Sequence, residues 1–477
     1  MDELLHTLPL TELALRLRDG RLTPGVLTDY FLTRIAHFNP HLHAFIHVDA
    51  ERARRDAKRA EKELATGQDR GLLHGIPYAL KDIFDVAGTA TTCHSKIMQH
   101  SIAQRSSTVE TRLAQSGGIY LGKLATHEFA LGGPSFELPF PPARNPWNLA
   151  HFTGASSSGA GAAVAAGLTP IAMGSDTSGS IRGPACLCGV VGFKPTYGLV
   201  SRAGVFPLSW SLDHCGPLTR YVIDSQCVMQ ALAGYDKRDP SSHPTPYTFD
   251  APRPHWAAMR IAWPRHLLTE NPHTDPELIA AMDHCVTLLR EAGASVEEIH
   301  FPDFALFNAC GRIIMAAEAF AIHQKAIRHR PEAFGRYTYQ RILPGATISA
   351  AELLDAQRLR AELTGRLNSQ LFPHYSLLLF PSTLRSAPHF NEFTPDWPPP
   401  GNVVPTQTIP FNVTGNPALN IPIALSSERL PLGMQLVGGL FDDAALLAAG
   451  KALERWLAMP ALDDMTIHNN IALFQEA

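Results

Sequence analysis

The 477-residue sequence has few of the features that mark secreted or membrane-spanning proteins. Its seven cysteines are an odd number, which does not suit a disulfide framework and indicates a reducing compartment. The start, MDELLHTLPL, has no cationic region followed by an apolar one, and no stretch approaches the ~20 apolar residues that span a bilayer. We therefore expect a soluble, cytoplasmic protein with no membrane partner.

An excess of charge of one sign is also lacking. The chain has 40 Lys and Arg against 44 Asp and Glu, a net charge of −4, and both signs are scattered along it. A nucleic-acid footprint would require a clustered excess of positive charge. We expect a small-molecule substrate and no nucleic-acid partner.

Several common catalytic and cofactor motifs are missing as well. The sequence contains neither the HExxH metal motif nor the G-x-S-x-G turn of many serine hydrolases. A phosphate-binding module is the alternative, but no GxxxxGK[ST] loop occurs and residues 159–161 lack the third glycine of a dinucleotide fingerprint. We expect no metal and no cofactor.

Three segments carry the chemistry that the sequence does show. The run GSDTSGSIRGPA places Ser180 in a turn of glycines and small hydroxyl residues, where backbone N–H groups can converge on an oxyanion. The run TGASSSGAGAA, residues 153–163, supplies further serines, and LHGIPYALKD supplies Lys81. Together they indicate acyl transfer through a Ser–Ser–Lys relay.

A serine nucleophile needs an aligned proton acceptor. His127, His151 and His214 lie in no catalytic arrangement, and we interpret His127 and His214 as polar packing residues. Lys81 follows the apolar run IPYAL, and burial there would favour the neutral amine that can accept a proton. The alternative is a lysine at a strand end with its head in solvent.

The three segments resemble the amidase signature family, which pairs a GGSSGGS-like run with GSDTGGSIR and an upstream HGIPVAVKD-like segment. Matched position by position, the resemblance implies a catalytic triad of Lys81, Ser156 and Ser180, whose successive members are 75 and 24 positions apart. It also implies a cis peptide bond before Ser156, where Ala155 stands in place of the usual glycine. Ser157 is the alternative to Ser156, because only spacing separates the two.

The resemblance implies further supporting residues around the nucleophile. Four backbone N–H groups would receive the oxyanion: Thr177, Ser178, Gly179 and Ser180. Asp176 and Arg182, one on each side of the turn, resemble a structural pair of the family, and a generic surface ion pair is the alternative. Ser175 would hydrogen-bond the region of Ser156.

Two apolar segments are candidates for substrate contact. Leu131 and Gly132, in FALGG, match the family segment that lines the acyl pocket. Phe206, Leu208 and Trp210, in GVFPLSWS, could form an apolar wall. Packing in the core is an equally good interpretation of all five residues.

The order of the segments predicts an α/β fold with a large mixed sheet covered by helices, the α/β/α fold that the resemblance also implies. We expect one domain over residues 1–477. Residues 1–65 are predicted as helices, residues 66–235 contain the signature core, and residues 236–477 complete the sheet with further strands and surface helices. Short apolar runs bounded by Gly or Pro, such as IPYALKD and TPIAMGSD, are predicted as buried strands.

The function that the sequence favours is hydrolysis of small amides through a serine acyl-enzyme, and carbamates or esters would suit the same machinery. The alternative is the amidase subunit of a glutamyl-tRNA amidotransferase, which frees ammonia from glutamine. Relatives of that kind carry IRQPA where this chain has IRGPA, and an Asp near residues 403–408, where this chain has none. The acyl group, the leaving group and the oligomeric state, including a homodimer, stay open.

Overall fold

The computed structural model describes residues 4–131, 133–393 and 406–476, and all structural statements refer to these ranges. Eleven strands occur in them: β1 Phe45–Val48, β2 Pro77–Lys81, β3 Ile119–Leu124, β4 Ile171–Asp176, β5 Val191–Lys194, β6 His214–Thr219, β7 Arg260–Trp263, β8 Ser295–Glu298, β9 Leu377–Pro381, β10 Ala418–Leu425 and β11 Pro431–Val437. Fifteen α-helices accompany them: α1 Leu10–Arg18, α2 Pro24–Leu42, α3 Ala50–Ala65, α4 Thr108–Gln115, α5 Ser158–Ala165, α6 Arg182–Cys188, α7 Val222–Leu232, α8 His266–Thr269, α9 Pro276–Glu291, α10 Phe304–His329, α11 Arg336–Ile342, α12 Ala350–Gly365, α13 Pro410–Val413, α14 Asp443–Leu457 and α15 Asp464–Glu476.

All the strands of the described ranges belong to one mixed sheet, in the order β1-β3-β2-β4-β6-β5-β10-β11-β9-β7-β8. Strand β2 pairs in parallel with both β3 and β4, whereas β4 pairs antiparallel with β6. The last three strands, β9, β7 and β8, are again parallel to one another. The predicted α/β fold with a large mixed sheet is confirmed.

The middle strands are buried along their whole length because both faces of the sheet are covered. Every residue of β2 to β6 is buried, which explains why these segments form continuous apolar runs rather than alternating patterns. Helix α5 packs against this layer through small residues, Gly, Ala and Ser, with Val164 as the exception. A Cβ on Gly159 would lie closer than 3.0 Å to backbone atoms of Ala44 and Ala125, so only glycine fits this close approach.

The N-terminal segment is mostly helical, as predicted, but one strand interrupts it. The Thr23 and Asp49 side chains accept hydrogen bonds from backbone N–H groups in the first turns of α2 and α3, and so start these helices. Between them, β1 pairs antiparallel with β3 at the edge of the sheet. The prediction of helices alone over residues 1–65 is therefore wrong, because a four-residue strand shows no pattern until its partner strand is in place.

Helix α10 is longer and more apolar than we expected from a sequence in which no stretch approached the length that spans a bilayer. Among the helices of the described ranges it is the one that is long and apolar enough, by length and composition, to cross a bilayer. It packs against α11, α12 and α13, and only part of its most apolar stretch is buried.

The topology brings the three motif segments to one edge of the sheet. Strands β2 and β4 are parallel neighbours, so Lys81 and Asp176, their last residues, reach the same edge. Strand β6 runs antiparallel to β4 and begins at this edge with His214. The N-terminus of α5, at Ser158, lies in the adjoining serine-rich run.

Candidate active site

Lys81 lies completely inside the protein, with its amine among hydroxyl groups. The Nζ atom donates to Ser156 Oγ over 2.6 Å and to Ser175 Oγ over 2.9 Å. The side chain is 0% exposed. The alternative of a lysine with its head in solvent is therefore wrong.

The environment of Lys81 favours its neutral form. Burial lowers the pKa of the amine from 10.5 to about 7, and the charges of Asp213 and Asp176 oppose this shift only in part. A lysine with a pKa near 7 is largely neutral in slightly alkaline solution, and a neutral amine can accept a proton from a neighbouring hydroxyl.

The geometry distinguishes between the two serines that spacing alone could not separate. Ser157 is also buried, but its hydroxyl donates to the carbonyl oxygen of Ser175 over 3.2 Å. Of these two serines, Ser156 is the one whose hydroxyl contacts Lys81. The peptide bond between Ala155 and Ser156 is cis, as the family resemblance implied.

Ser180 is not hydrogen-bonded through its hydroxyl to Ser156 or Lys81 in this structure. Its residue is buried, and its hydroxyl forms no hydrogen bond with another residue in the described ranges. Its carbonyl oxygen accepts the N–H of Ser157 over 3.2 Å, which ties the two serine-rich runs together. Catalytic hydrogen bonds are often open in a ligand-free enzyme and tighten when substrate is bound.

The turn that carries Ser180 is built around the Asp176 carboxylate. This carboxylate accepts the backbone N–H of Gly179 over 2.7 Å and that of Ile181 over 3.1 Å. Two nitrogens of Arg182 approach it to 2.9 and 3.0 Å, and neither side chain is exposed. Burial alone would raise the pKa of Asp176, but the charge and hydrogen bonds of Arg182 hold it well below its usual value. The alternative of a surface ion pair is wrong.

The same carboxylate changes the expected oxyanion hole. The N–H of Gly179 already donates to Asp176 and does not point to a substrate oxygen. The N–H groups of Ser178 and Ser180 donate to no other residue in the part of the chain that the structure describes. Gly179 is instead required for shape, because its φ is +128° and a Cβ would overlap Thr408 Oγ1.

Four residues around this turn were not found from the sequence. Gln435 and Asn412 accept from the Arg182 guanidinium over 2.7 and 2.6 Å, and Thr408 accepts through its carbonyl oxygen over 2.9 Å. Asp213 accepts the hydroxyl proton of Thr177 over 2.6 Å. All but Asp213 lie more than 200 residues from the turn, and the short segments of Thr408 and Asn412 carry no motif. Gln435 and Asp213 do fall within LPLGMQLVG and SLDHCGPLTR, where the family likeness was a usable signal.

A cavity of about 480 Å³ opens beside the lysine. The predicted wall residues Phe206, Leu208 and Trp210 line it, with Trp210 half exposed, and it extends inward to Ser175. Neither Lys81 nor Ser180 lines the cavity, and the cavity reaches the site at Ser175, whose hydroxyl accepts a hydrogen bond from Lys81.

The segment expected to line the acyl pocket is placed only in part. Leu131 is buried, and its carbonyl oxygen accepts the Thr338 hydroxyl over 3.4 Å. Its neighbour Ala130, rather than Leu131 itself, lines the cavity. Gly132 and residues 403–405 lie outside the described residues. In those that are described, no cluster of three His, Cys, Asp or Glu side chains could hold a metal ion.

Hydrolases of carbon–nitrogen bonds are the class that this fold and site define. The chain belongs to the amidase family, whose model matches residues 26–447. It is 36% identical, over 454 residues, to the A subunit of the glutamyl-tRNA(Gln) amidotransferase of Thermosynechococcus vestitus; the match covers 90% of this chain and 94% of that protein.

Two solved structures show how closely the fold is shared. One is described as a vestigial protein complex that reveals the origins of an s-triazine catabolic enzyme; the TM-score is 0.87 at 31% identity, over 96% of this chain and 100% of that one. The other is the native peptide amidase from Stenotrophomonas maltophilia, with a TM-score of 0.82 at 27% identity, over 96% and 99% of the two chains. The chain is thus an amidase, and its relatives include both an amidotransferase subunit and a peptide amidase.

Proposed function

We propose that this protein hydrolyses small amides through an acyl-enzyme on Ser180, with Lys81 as the base and Ser156 as the relay. The observation that supports this most is the 2.6 Å contact between Lys81 Nζ and Ser156 Oγ, two atoms of buried side chains. A buried amine with a pKa of about 7 can take up the proton that a serine must lose.

In the proposed reaction, Ser180 Oγ attacks the amide carbon while its proton passes to Ser156, whose own proton passes to Lys81. The oxyanion receives hydrogen bonds from the N–H groups of Ser178 and Ser180. The proton returns through Ser156 to the nitrogen of the leaving group, the C–N bond breaks, and ammonia or an amine departs. Water then attacks the ester in the same way and releases the acid.

An arginine on α11, the helix that contacts Leu131, supports a substrate that carries a carboxylate. Arg341, on α11, forms no hydrogen bond or ion pair within the described ranges, although it is half-buried. Burial, and then the nearby charge of Arg312, lowers the pKa of its guanidinium to about 10. The same helix contacts Leu131 through Thr338. A bound carboxylate would supply the counter-charge that Arg341 lacks.

Glutamine hydrolysis within an amidotransferase is the second candidate. Curated relatives that match this chain over nearly its whole length are amidotransferase A subunits, and glutamine is itself an amide with a carboxylate. A solved relative is also described as part of a protein complex. This candidate would add a second protein to the small-molecule substrate, whereas the first requires none and is compatible with a monomer or a homodimer.

The seven buried, unpaired cysteines support the proposal of a reducing compartment, and hence of a cytoplasmic protein.

One experiment tests both candidates. The purified chain is given succinamate, glutamine, a neutral anilide and a carbamate, and the products are followed by mass spectrometry. We expect the carboxylate-bearing amides to be hydrolysed, with KM raised in Arg341→Gln and unchanged in Arg328→Gln, an exposed control on α10. Turnover of glutamine only after co-expression with the other proteins of an amidotransferase would support the second candidate. Absence of any acid product, with Ser180 unlabelled by a sulfonyl fluoride, would contradict both.

A further inference from the structure

The carboxylate of Asp213 lies beside the turn that carries Ser180 but has no role in the proposed reaction. Asp176, the last residue of β4, pairs with His214, the first residue of β6. Thr177 is the residue after β4, and Asp213 is the residue before β6. Thr177 Oγ1 donates to Asp213 Oδ1 over 2.6 Å, so a side-chain hydrogen bond continues the contact of the two segments into the turn that carries Ser180.

The second oxygen of the same carboxylate holds the cavity wall. Asp213 Oδ2 accepts the backbone N–H of Leu208 over 2.9 Å and that of Ser209 over 3.0 Å. Leu208 and Asp213 both line the cavity that reaches Ser175. One carboxylate therefore joins the turn of Ser180 to the wall beside Lys81.

Asp213 also differs from Asp176 in how its charge is compensated. Asp176 is paired with Arg182 at 2.9 Å, whereas Asp213 forms no ion pair within the residues that the structure describes. Arg202 is the cation that acts on it, but its side chain is bonded to Asp239. Burial raises the pKa of Asp213 to about 6, so near neutral pH it is an ionised carboxylate with little compensation.

That charge acts on the proposed base. Four titratable groups face Lys81: Asp213 just before β6, Asp176 at the end of β4, Cys215 in β6 and Cys93 in the loop after β2. Of these, Asp213 opposes the effect of burial most strongly. Its negative charge favours the ammonium form of Lys81 and delays the loss of its proton as the pH rises.

We propose that Asp213 is a positioning residue, which aligns the Ser180 turn with the cavity wall through Thr177 and governs the protonation of Lys81 by its charge. This inference rests on the proposed function. It predicts two separable effects, one on alignment and one on pH dependence.

The test is the rate at which a sulfonyl fluoride labels Ser180 between pH 5 and 10, since this rate does not depend on the natural substrate. Labelling forms the S–O bond to Ser180 and breaks the S–F bond, so that fluoride leaves and the serine proton passes to the relay. In Asp213→Asn the rise of the rate with pH should move about one unit lower, because an opposite charge near the lysine is removed. Asp443→Asn removes a carboxylate that is buried as completely and also accepts a threonine hydroxyl, from Thr196, but is not among the groups that act on Lys81; it should leave that midpoint unchanged.

Thr177→Val removes the hydrogen bond and keeps the charge. Its plateau rate should fall about tenfold, the effect of a hydrogen bond of roughly 1.4 kcal/mol. Circular dichroism and thermal melting show whether each variant is folded. A folded Asp213→Asn with the wild-type midpoint would overturn the electrostatic role, and a wild-type plateau in Thr177→Val would overturn the alignment role. If the wild type were not labelled at Ser180, the proposed function itself would fail.

Discussion

Two lysines of the same sheet are equally buried but contact different groups. They are Lys81, at the end of β2, and Lys194, at the end of β5. Both are 0% exposed, and burial lowers the pKa of both. The Nζ of Lys81 meets two serine hydroxyls, whereas that of Lys194 donates to the carbonyl oxygens of Pro195 and Asn416. Burial makes a lysine neutral, but only a hydroxyl neighbour has a proton to give it.

The largest expected effect is the loss of this base. Lys81→Ala should reduce kcat/KM for amides by about 10²–10⁴-fold or more, because the relay has no other proton acceptor. Lys81→Arg should not restore activity, since guanidinium stays charged and cannot accept a proton. Activated esters should suffer less, because a good leaving group does not need the returned proton. Steady-state kinetics with an anilide and a matched nitrophenyl ester measures this difference.

Lys194→Met is the matched control for that experiment. It removes a lysine that is buried just as completely but contacts only carbonyl oxygens. If Lys194→Met abolished amide turnover while remaining folded, the loss of a buried lysine would be sufficient to stop turnover. The hydroxyl partners of Lys81 would then not explain its role.

The second effect concerns the relay serine. Ser156→Ala should slow acylation by about 10²–10⁴-fold, the usual value of a general acid–base step. Ser157→Ala should slow it much less, because that hydroxyl donates to the carbonyl oxygen of Ser175 and not to Lys81. Single-turnover kinetics of acyl-enzyme formation compares the two variants. Equal losses would contradict the assignment of Ser156.

The third effect is on pH dependence. Because the pKa of Lys81 is lowered to about 7, kcat/KM should increase about tenfold per unit below pH 7 and level off above it. The activity of Lys194→Met should follow the same curve. The measurement is kcat/KM between pH 5 and 9.5 at constant ionic strength. A value that still increased about tenfold per unit at pH 9.5 would contradict the lowered pKa of Lys81.

The smallest effect is on stability, and here the two lysines should behave alike. A lysine whose pKa is lower in the folded than in the unfolded state binds fewer protons when folded, so stability increases with pH from the folded to the unfolded pKa. For Lys81 this window runs from about 7 to 10.5. The melting temperature should rise less between pH 7 and 10 in Lys81→Met and in Lys194→Met than in the wild type, and the difference should be on the order of a few degrees. A slope identical to the wild type in either variant would contradict burial as the cause of its shift.

Local patterns were enough to predict much of the fold. The apolar runs that became β2, β4, β10 and β11 are continuous because both faces of the sheet are covered. Strand β1 was missed because its four residues depend on pairing with β3. Helix α15 was missed as well, although Arg34 on α2 anchors it through Asp464 with two 2.7 Å hydrogen bonds. Both elements depend on partners that are distant in the sequence.

The sequence by itself determined which residue types stand at the site, because the serine-rich runs, the Lys81 segment and the Asp176–Arg182 pair are short local patterns. Only the tertiary structure decided how they act. The parallel pairing of β2 with β4 puts Lys81 beside Ser175, and the fold of the serine-rich run brings Ser156 rather than Ser157 to the same amine. Asp176 takes up the N–H of Gly179. Asn412 and Gln435, more than 200 residues away, complete the support of Arg182. The reason is physical: hydrogen bonds and charge interactions act over a few ångströms in space, whatever the separation along the chain.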